Sequence, residues 1–292
     1  MPEIEGSPKR ETDNSRVSPT AWGVAYLRTF SDIPFTKEIF EALEAQRLAD
    51  GTPNFAEEMM KAPLAPQLEA RYKLVDRLIT KVGSDQVLEI GSGLAPRGLN
   101  FTWTNPTITY VDTDLASMIA DKKRIFASMG ISLPDNLVLR PGDALSSDDM
   151  QATTAAFSPD KPVVIVNEGL MRYLNFDQKT KYAQSVRAIL ERFGGAWVTP
   201  DISLRSAMAR EDEVASGHIH KLQKMTGVDL SQNVFESEDQ AEEFFAELGF
   251  TVERHNFLEV SDELVSPTKL GMSAEQVTRL NGPCPAFVMR LT

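Results

Sequence analysis

Cysteine, histidine and net positive charge are what this sequence has least of. Cys284 is the only cysteine, which excludes an intrachain disulfide and a cysteine zinc cluster. It stands between Pro283 and Pro285 before a terminal apolar run, the setting of a packed thiol. The histidines are His218, His220 and His255; His218-x-His220 with no cysteine or clear carboxylate partner nearby is a poor ligand set, so no metal is expected. The 30 basic residues are outnumbered by 42 acidic ones, a net charge of −12, and such a chain is repelled by nucleic acid and by anionic membrane surfaces. No apolar run approaches the roughly 20 residues needed to span a bilayer. The opening MPEIEGSPKRETDNSR holds no apolar signal region. The expectation is a soluble, cytoplasmic protein acting on a small molecule, with neither nucleic acid nor membrane as partner. Nothing in the sequence marks its oligomeric state.

What is present is enough chain, 292 residues, to bury one large core. Residues 1–17 are polar and charged, too poor in large apolar groups to offset the entropy of ordering, and are expected to form a flexible tail to a single domain over residues 18–292. Trp22, Ala25, Tyr26 and Phe30 fall at helical spacing behind Ser18 or Thr20 as a cap, and a second helix is expected over residues 37–47. Together these make an N-terminal helical cap, residues 18–65. Beyond Pro53, Pro63 and Pro66, Leu68, Tyr72, Val75, Leu78 and Ile79 share one face of a helix. QVLEI, an apolar run ending at glycine, then reads as a buried parallel strand. Further strands are expected over residues 108–111, 137–139, 163–167 and 196–199, with helices between them, one of them over residues 177–193 and stopped by Gly194. Ser237 with Gln240 is a capping-box pattern opening SEDQAEEFFAEL, and FTVERHNF and AFVMRL supply the last strands. Alternating strands and helices imply an α/β fold whose parallel sheet binds ligands at the carboxyl ends of its strands. The connection 201–234 is expected to cover the substrate.

The chemistry concentrates at those strand ends. VLEIGSGLAPRG places Gly91, Gly93 and Gly98 between a strand and a helix, where glycine lets the backbone approach a ligand closely; a tight turn with no ligand has the same look. The spacing G-x-G-x-x-x-x-G is not the G-x-G-x-x-G that seats a pyrophosphate, so a nicotinamide-dependent dehydrogenase is a distant alternative. YVDTDL brings Asp112 and Asp114 to the next strand end, where a carboxylate can grip both hydroxyls of a ribose; either residue could instead cap the following helix. PGDAL offers Asp143 to an adenine amino group and the Ala144 backbone beside it, or is simply a polar turn. VIVNEGLMRYL ends a strand in Asn167 and Glu168, and a carboxylate there is costly unless it is used. Arg172 either binds an acidic substrate or neutralises Glu168, with Tyr173 on the pocket floor.

Four stretches, TAWGVAYLR, ARYKLVD with VLEIGSGLAPRG, YVDTDLASMIADKK and NEGLMRYL, together resemble the leucine carboxyl methyltransferase family, especially its bacterial branch related to the tetracenomycin polyketide O-methyltransferase. The resemblance implies a Rossmann-like class I methyltransferase: a mostly parallel seven-stranded sheet with helices on both faces and its last two strands antiparallel. It implies S-adenosylmethionine as cofactor and S-adenosylhomocysteine as product. By that likeness Arg71 holds the methionine carboxylate, Gly91 lies along the methionine portion, Asp114 meets the ribose, Asp143 and Ala144 form the adenine side, and Glu168 faces the cofactor. Glu89, Ser92, Gly93, Asp112 and Leu115 complete the expected cofactor-binding set. The family commonly reads G-x-G-x-D-T-R after its first strand; here Ala95 and Pro96 replace the aspartate and threonine, and Arg97 keeps its place.

The implied reaction is methyl transfer to an oxygen of a small acceptor, such as a polyketide-like metabolite. A carboxylate acceptor is already ionised and needs no base, so catalysis would rest on alignment, with Arg28, Arg172 or Arg205 orienting the acid. A hydroxyl acceptor would call on a base, for which His218 and His220 are the candidates. The non-enzymatic alternative is a cofactor-binding regulatory protein that has kept the fold and lost turnover.

Overall fold

The computed structural model describes residues 19–51 and 61–292; the tail over residues 1–17, Ser18 as a cap and Pro53 lie outside them. Parallel strands covered on both faces must be apolar throughout, and the strands that carry VLEI and VVIVN are buried at every position. Seven strands, β1 (Gln86–Ile90), β2 (Thr109–Asp114), β3 (Leu137–Pro141), β4 (Val163–Asn167), β5 (Gly195–Thr199), β6 (Phe250–Asn256) and β7 (Pro285–Leu291), form one sheet in the order β3-β2-β1-β4-β5-β7-β6. Only β7 runs against its neighbours, antiparallel to both β5 and β6. The chain winds outward from β1 through β2 to β3, then returns to β4 on the other side of β1. That reversal opens a crevice above the carboxyl ends of β1 and β4.

The helices around the sheet begin and end where local chemistry dictates. They are α1 (Pro19–Arg28), α2 (Thr36–Ala49), α3 (Ala65–Val82), α4 (Arg97–Thr104), α5 (Ala116–Ser128), α6 (Ser147–Thr153), α7 (Phe176–Phe193), α8 (Arg205–Val214), α9 (His218–Thr226), α10 (Glu238–Glu247), α11 (Ser266–Leu270) and α12 (Ala274–Asn281). In α3, Pro66 occupies the first turn, where its missing amide costs nothing, and Gly83 closes the helix in the left-handed region at φ 76°. Asn175 and Gln178 cap α7 reciprocally, and Gly194 stops it. Two expectations change. Thr20 lies inside α1, which starts at Pro19, so it is no cap. Ser237 does cap α10 through the Gln240 amide at 3.1 Å, but the Gln240 side chain turns to the Glu236 amide at 2.7 Å, so only half of the capping box forms.

Two larger apolar clusters follow from this layout, with a third of Ile33, Tyr72 and Ala95 beside them. The main one fills both sides of the sheet and includes Trp197, which meets Tyr182 and Phe245 edge-on at 5.4 Å each. A second, smaller cluster draws Leu27 of α1, Leu64, Leu68 of α3, Leu222 of α9 and Leu280 of α12 together as a roof over the crevice. Each such leucine removed from water contributes about 1.5–3 kcal/mol. The connection 201–234 supplies two helices of this roof region, α8 and α9. Among the described residues no helix is long and apolar enough to cross a membrane.

Candidate active site

β1 ends at Ile90, and the chain turns through Gly91 at φ 67° and Gly93 at φ 51°, a conformation that L side chains resist. A Cβ on Gly91 would press to 3.3 Å from the Leu170 side chain, while one on Gly93 would meet nothing within 4 Å. Asp114, at the end of β2, accepts the Gly93 amide on Oδ2 and the Leu115 amide on Oδ1, each at 2.7 Å. Burial raises the Asp114 pKa, and these two amides oppose the shift. The third glycine of the motif has another task. Gly98 lies within α4, where a Cβ would come to 2.9 Å from Tyr110 and Leu137, so its smallness lets the helix close on the sheet.

Above this turn lies a cavity of about 510 Å³, a size suited to a small-molecule ligand. Arg28, Arg71, Ser92, Asp114 and Glu168 make up the polar part of its wall; Val24, Leu27, Leu68, Leu222 and Tyr173, all of one apolar cluster, make up another part, and Arg172, Glu211 and His218 also line it. Leu115 and Met118 line it as well, and Leu115 is 54% exposed.

Glu168 organises the polar end. Its Oε1 accepts from Arg28 Nη2 at 2.8 Å and Arg71 Nε at 3.0 Å, and its Oε2 accepts from Arg97 Nη2 at 2.5 Å. Burial alone would raise its pKa, but the charges of Arg71, Arg28 and Arg97 prevail and hold it well below the usual carboxylate range. Arg97 also bonds Glu89 through Nη1 and Asp76 through Nε, the latter at 2.6 Å. The Tyr72 ring lies 4.2 Å from the Arg97 guanidinium and 5.1 Å from that of Arg28. Burial, opposed chiefly by Arg97, pushes Glu89 up to about 7 and Asp76 up to about 6.

Ten of the expected residues line one cavity: Arg28, Arg71, Gly91, Ser92, Gly93, Asp114, Leu115, Glu168, Arg172 and His218. The others lie elsewhere. Glu89, two residues deeper along β1 than the glycine turn, is fully buried between Arg97 and the Tyr110 hydroxyl, so it acts as a counter-ion beneath the wall. Asp112 is likewise two residues deeper than Asp114; α5 covers it there, with Lys122 Nζ at 2.5 Å. Asp143 is exposed and closes a polar turn, accepting the Leu145 amide at 2.8 Å, and neither it nor Ala144 lines the cavity. Arg205 points to the surface and pairs with Glu236 at 2.6 Å, and His220 is exposed. The two readings of Arg172 also separate. It pairs with Glu211 of α8 at 2.8 Å, while Glu168 is neutralised by the other three arginines.

The sequence model of the leucine carboxyl methyltransferase family matches residues 27–186, which carry β1 to β4 and this polar wall. The chain belongs to the leucine carboxyl methyltransferase family. Among relatives, it is 24% identical over 197 residues to a Mycolicibacterium gilvum protein, and 24% identical over 207 residues to one from Mycobacterium tuberculosis. Both are provisionally described as S-adenosyl-L-methionine-dependent methyltransferases. The matches cover 60% and 64% of this chain and 64% and 65% of the relatives, just under two thirds of the relatives' own length. A crystal structure of a DUF574 family protein from Streptomyces avermitilis shares the fold, with a TM-score of 0.59 at 14% identity, over 96% of this chain and 99% of that one.

Several residues that hold the surroundings of the cavity are not evident from sequence. Arg97 was visible as a retained motif residue, but its role is read only from three carboxylates 8, 21 and 71 positions away. Asp201, after β5, accepts the amides of Gly169 at 2.7 Å, Leu170 at 2.7 Å and Met171 at 3.1 Å and so shapes the turn that carries Glu168. Lys179 ties Leu174 to Asn233 through their carbonyls at 2.6 and 2.8 Å, and burial pulls its pKa down to about 8. Only a charged residue spaced onto the apolar face of α7 hinted at it.

Proposed function

We propose that this chain is an S-adenosylmethionine-dependent O-methyltransferase that esterifies the carboxylate of a small, largely apolar acid. The observation that carries the reading is one cavity, on the crevice between β1 and β4, whose lining joins the Glu168-bound arginines, taken here for the cofactor, to apolar residues and Arg172, taken here for the acceptor. Family membership supports the cofactor, and so does the donor set. Among the described residues only Nε of Arg71 is engaged, leaving its two Nη groups for an anion, and Arg28 stands beside it on the same Glu168 oxygen. The open face of Gly93 allows close approach, the Asp114 carboxylate suits ribose hydroxyls, and Leu115 and Met118 suit an adenine ring.

S-adenosylmethionine is the cofactor; when bound it supplies an electrophilic methyl group on a sulfonium sulfur. Arg71 and Arg28 would hold its carboxylate, and Asp114 its ribose. Arg172, which would share its guanidinium between Glu211 and the acceptor acid, would orient that acid, with the apolar roof of Leu27, Leu68 and Leu222 around the acceptor's body. A carboxylate acceptor is ionised at neutral pH and needs no base. The apolar lining supports an aromatic or polyketide-like acid, and the charge of −12 supports a small-molecule partner over nucleic acid or an anionic membrane.

The test is transfer of a radiolabelled methyl group from S-adenosylmethionine to a panel of aromatic and aliphatic acids and matching phenols. Carboxyl methyl esters release volatile methanol in mild alkali and methyl ethers do not. Alkali-labile label on the acids is expected. Label stable to alkali on phenols alone would replace carboxyl with hydroxyl chemistry and bring in His218, which lines the same cavity, as base. Cofactor binding with no turnover on any acceptor would point to a regulatory protein.

A further inference from the structure

Arg97 does not line the cavity, yet it holds the residues that do. Its side chain is fully buried, and all three edges of its guanidinium are committed: Nη2 to Glu168, Nη1 to Glu89 and Nε to Asp76. Tyr72 supports its face at 4.2 Å. A planar fork fixed on three sides cannot rotate, so the Glu168 carboxylate it grips by Oε2 is fixed as well. The consequence falls on the other oxygen. Arg28 and Arg71 both reach Oε1, each through a single nitrogen. Were Oε2 free, either arginine could take both oxygens in the preferred bidentate pairing. Its remaining donors would then turn from the cavity. With Oε2 occupied, Arg71 spends only Nε on Glu168, and its Nη2 lies beside Gly169 of the cavity wall, 3.8 Å from where a Cβ of that residue would stand.

We propose that Arg97 is a positioning residue for cofactor recognition: by occupying Glu168 Oε2 it makes Arg28 and Arg71 share Oε1 and leaves the Nη groups of Arg71 for the amino-acid carboxylate of the cofactor. The inference rests on the reading that the cavity takes S-adenosylmethionine. It assigns discrimination for the amino-acid moiety to a residue that never touches it. Asp76 and Glu89 serve as the outer anchors of the same fork.

Calorimetric titration with two ligands tests this. S-adenosylhomocysteine carries the amino-acid carboxylate; methylthioadenosine shares its adenosine and thioether and lacks the amino acid. In Arg97→Lys, which cannot hold three carboxylates in one plane, S-adenosylhomocysteine should bind about tenfold more weakly or worse, as expected for losing one well-placed charged hydrogen bond. Methylthioadenosine should bind as in the unaltered protein. Unchanged affinity for S-adenosylhomocysteine overturns the proposal, and so does an equal loss for both ligands, since that is the signature of a purely structural role. Asp76→Asn provides a second variant should Arg97→Lys fail to fold, because Asp76 is partly exposed on α3 and outside the cavity. It should weaken S-adenosylhomocysteine by a few fold and leave methylthioadenosine alone, and an unchanged ratio of the two affinities overturns the proposal. If the unaltered protein binds neither ligand, the reading of the cavity falls and the proposal with it; if it binds both and the variants match it, only the role of Arg97 falls.

Discussion

At the strand-end side of the cavity nearly every polar group is held by another: Glu168 by three arginines, Arg97 by three carboxylates, Asp114 by two amides. At the helical side, Leu27, Leu64, Leu68 and Leu222 come from three helices and a short turn and meet through apolar contact. The first end is specified by direction, because hydrogen bonds fix angles. The second is specified by volume, because dispersion and burial do not. On the proposed function, the rigid part would recognise the cofactor and the roof would accommodate the acceptor.

Substitutions at the two ends should therefore fail differently. The largest effect is expected from Glu168→Ala, which strips three buried arginines of their shared partner. It should lower stability by about 3–5 kcal/mol in urea unfolding, and a loss below about 1 kcal/mol would show that the polar end is not held as described. Leu222→Ala, 2% exposed in the roof, should cost about 2–3 kcal/mol. It should raise the KM of the acceptor while leaving the affinity for S-adenosylhomocysteine within about twofold, and an equal loss for both would erase the division between the ends.

A smaller effect concerns pH. Burial, against the opposing charge of Arg97, lifts Glu89 from 4.5 to about 7 in the folded protein. The folded state thus binds this proton more tightly than the unfolded chain. The resulting stability is fully present below about pH 4.5 and is lost as pH rises through about 7. Asp76, raised to about 6, acts in the same direction. Glu168, held low, contributes with the opposite sign and only in strong acid. The melting temperature should therefore fall from about pH 5 to pH 7, and Glu89→Gln, neutral throughout, should flatten that slope; an unaltered slope would assign it to other groups. The smallest effect belongs outside both ends. Arg205→Ala and His220→Ala, at exposed positions, should leave both the urea midpoint and turnover unchanged; a clear loss of turnover would extend the site beyond the cavity.

The same contrast explains what could be read from residues alone. The rigid end is encoded in short strings, each a strand followed by its turn, so Gly91, Gly93, Asp114 and Glu168 were visible where β1, β2 and β4 finish. Depth along a strand is not visible in this way. Glu89 and Asp112 sit in the same motifs as true wall residues, yet lie two positions lower, where Arg97 and Lys122 cover them. Partners across the chain were hidden as well. Arg172 finds Glu211 39 positions on, and nothing near either residue announces the pair. The roof was the least legible part, because its leucines share no local pattern and meet only after α1, α3, α9 and α12 have docked.

The most direct test of the central claim is calorimetric titration of S-adenosylhomocysteine into the unaltered protein and into Arg71→Met. One saturable site is expected, weakened about tenfold or more when the Arg71 guanidinium is removed. Absence of binding to the unaltered protein, or equal affinity in Arg71→Met, would contradict the assignment of the polar end to the cofactor.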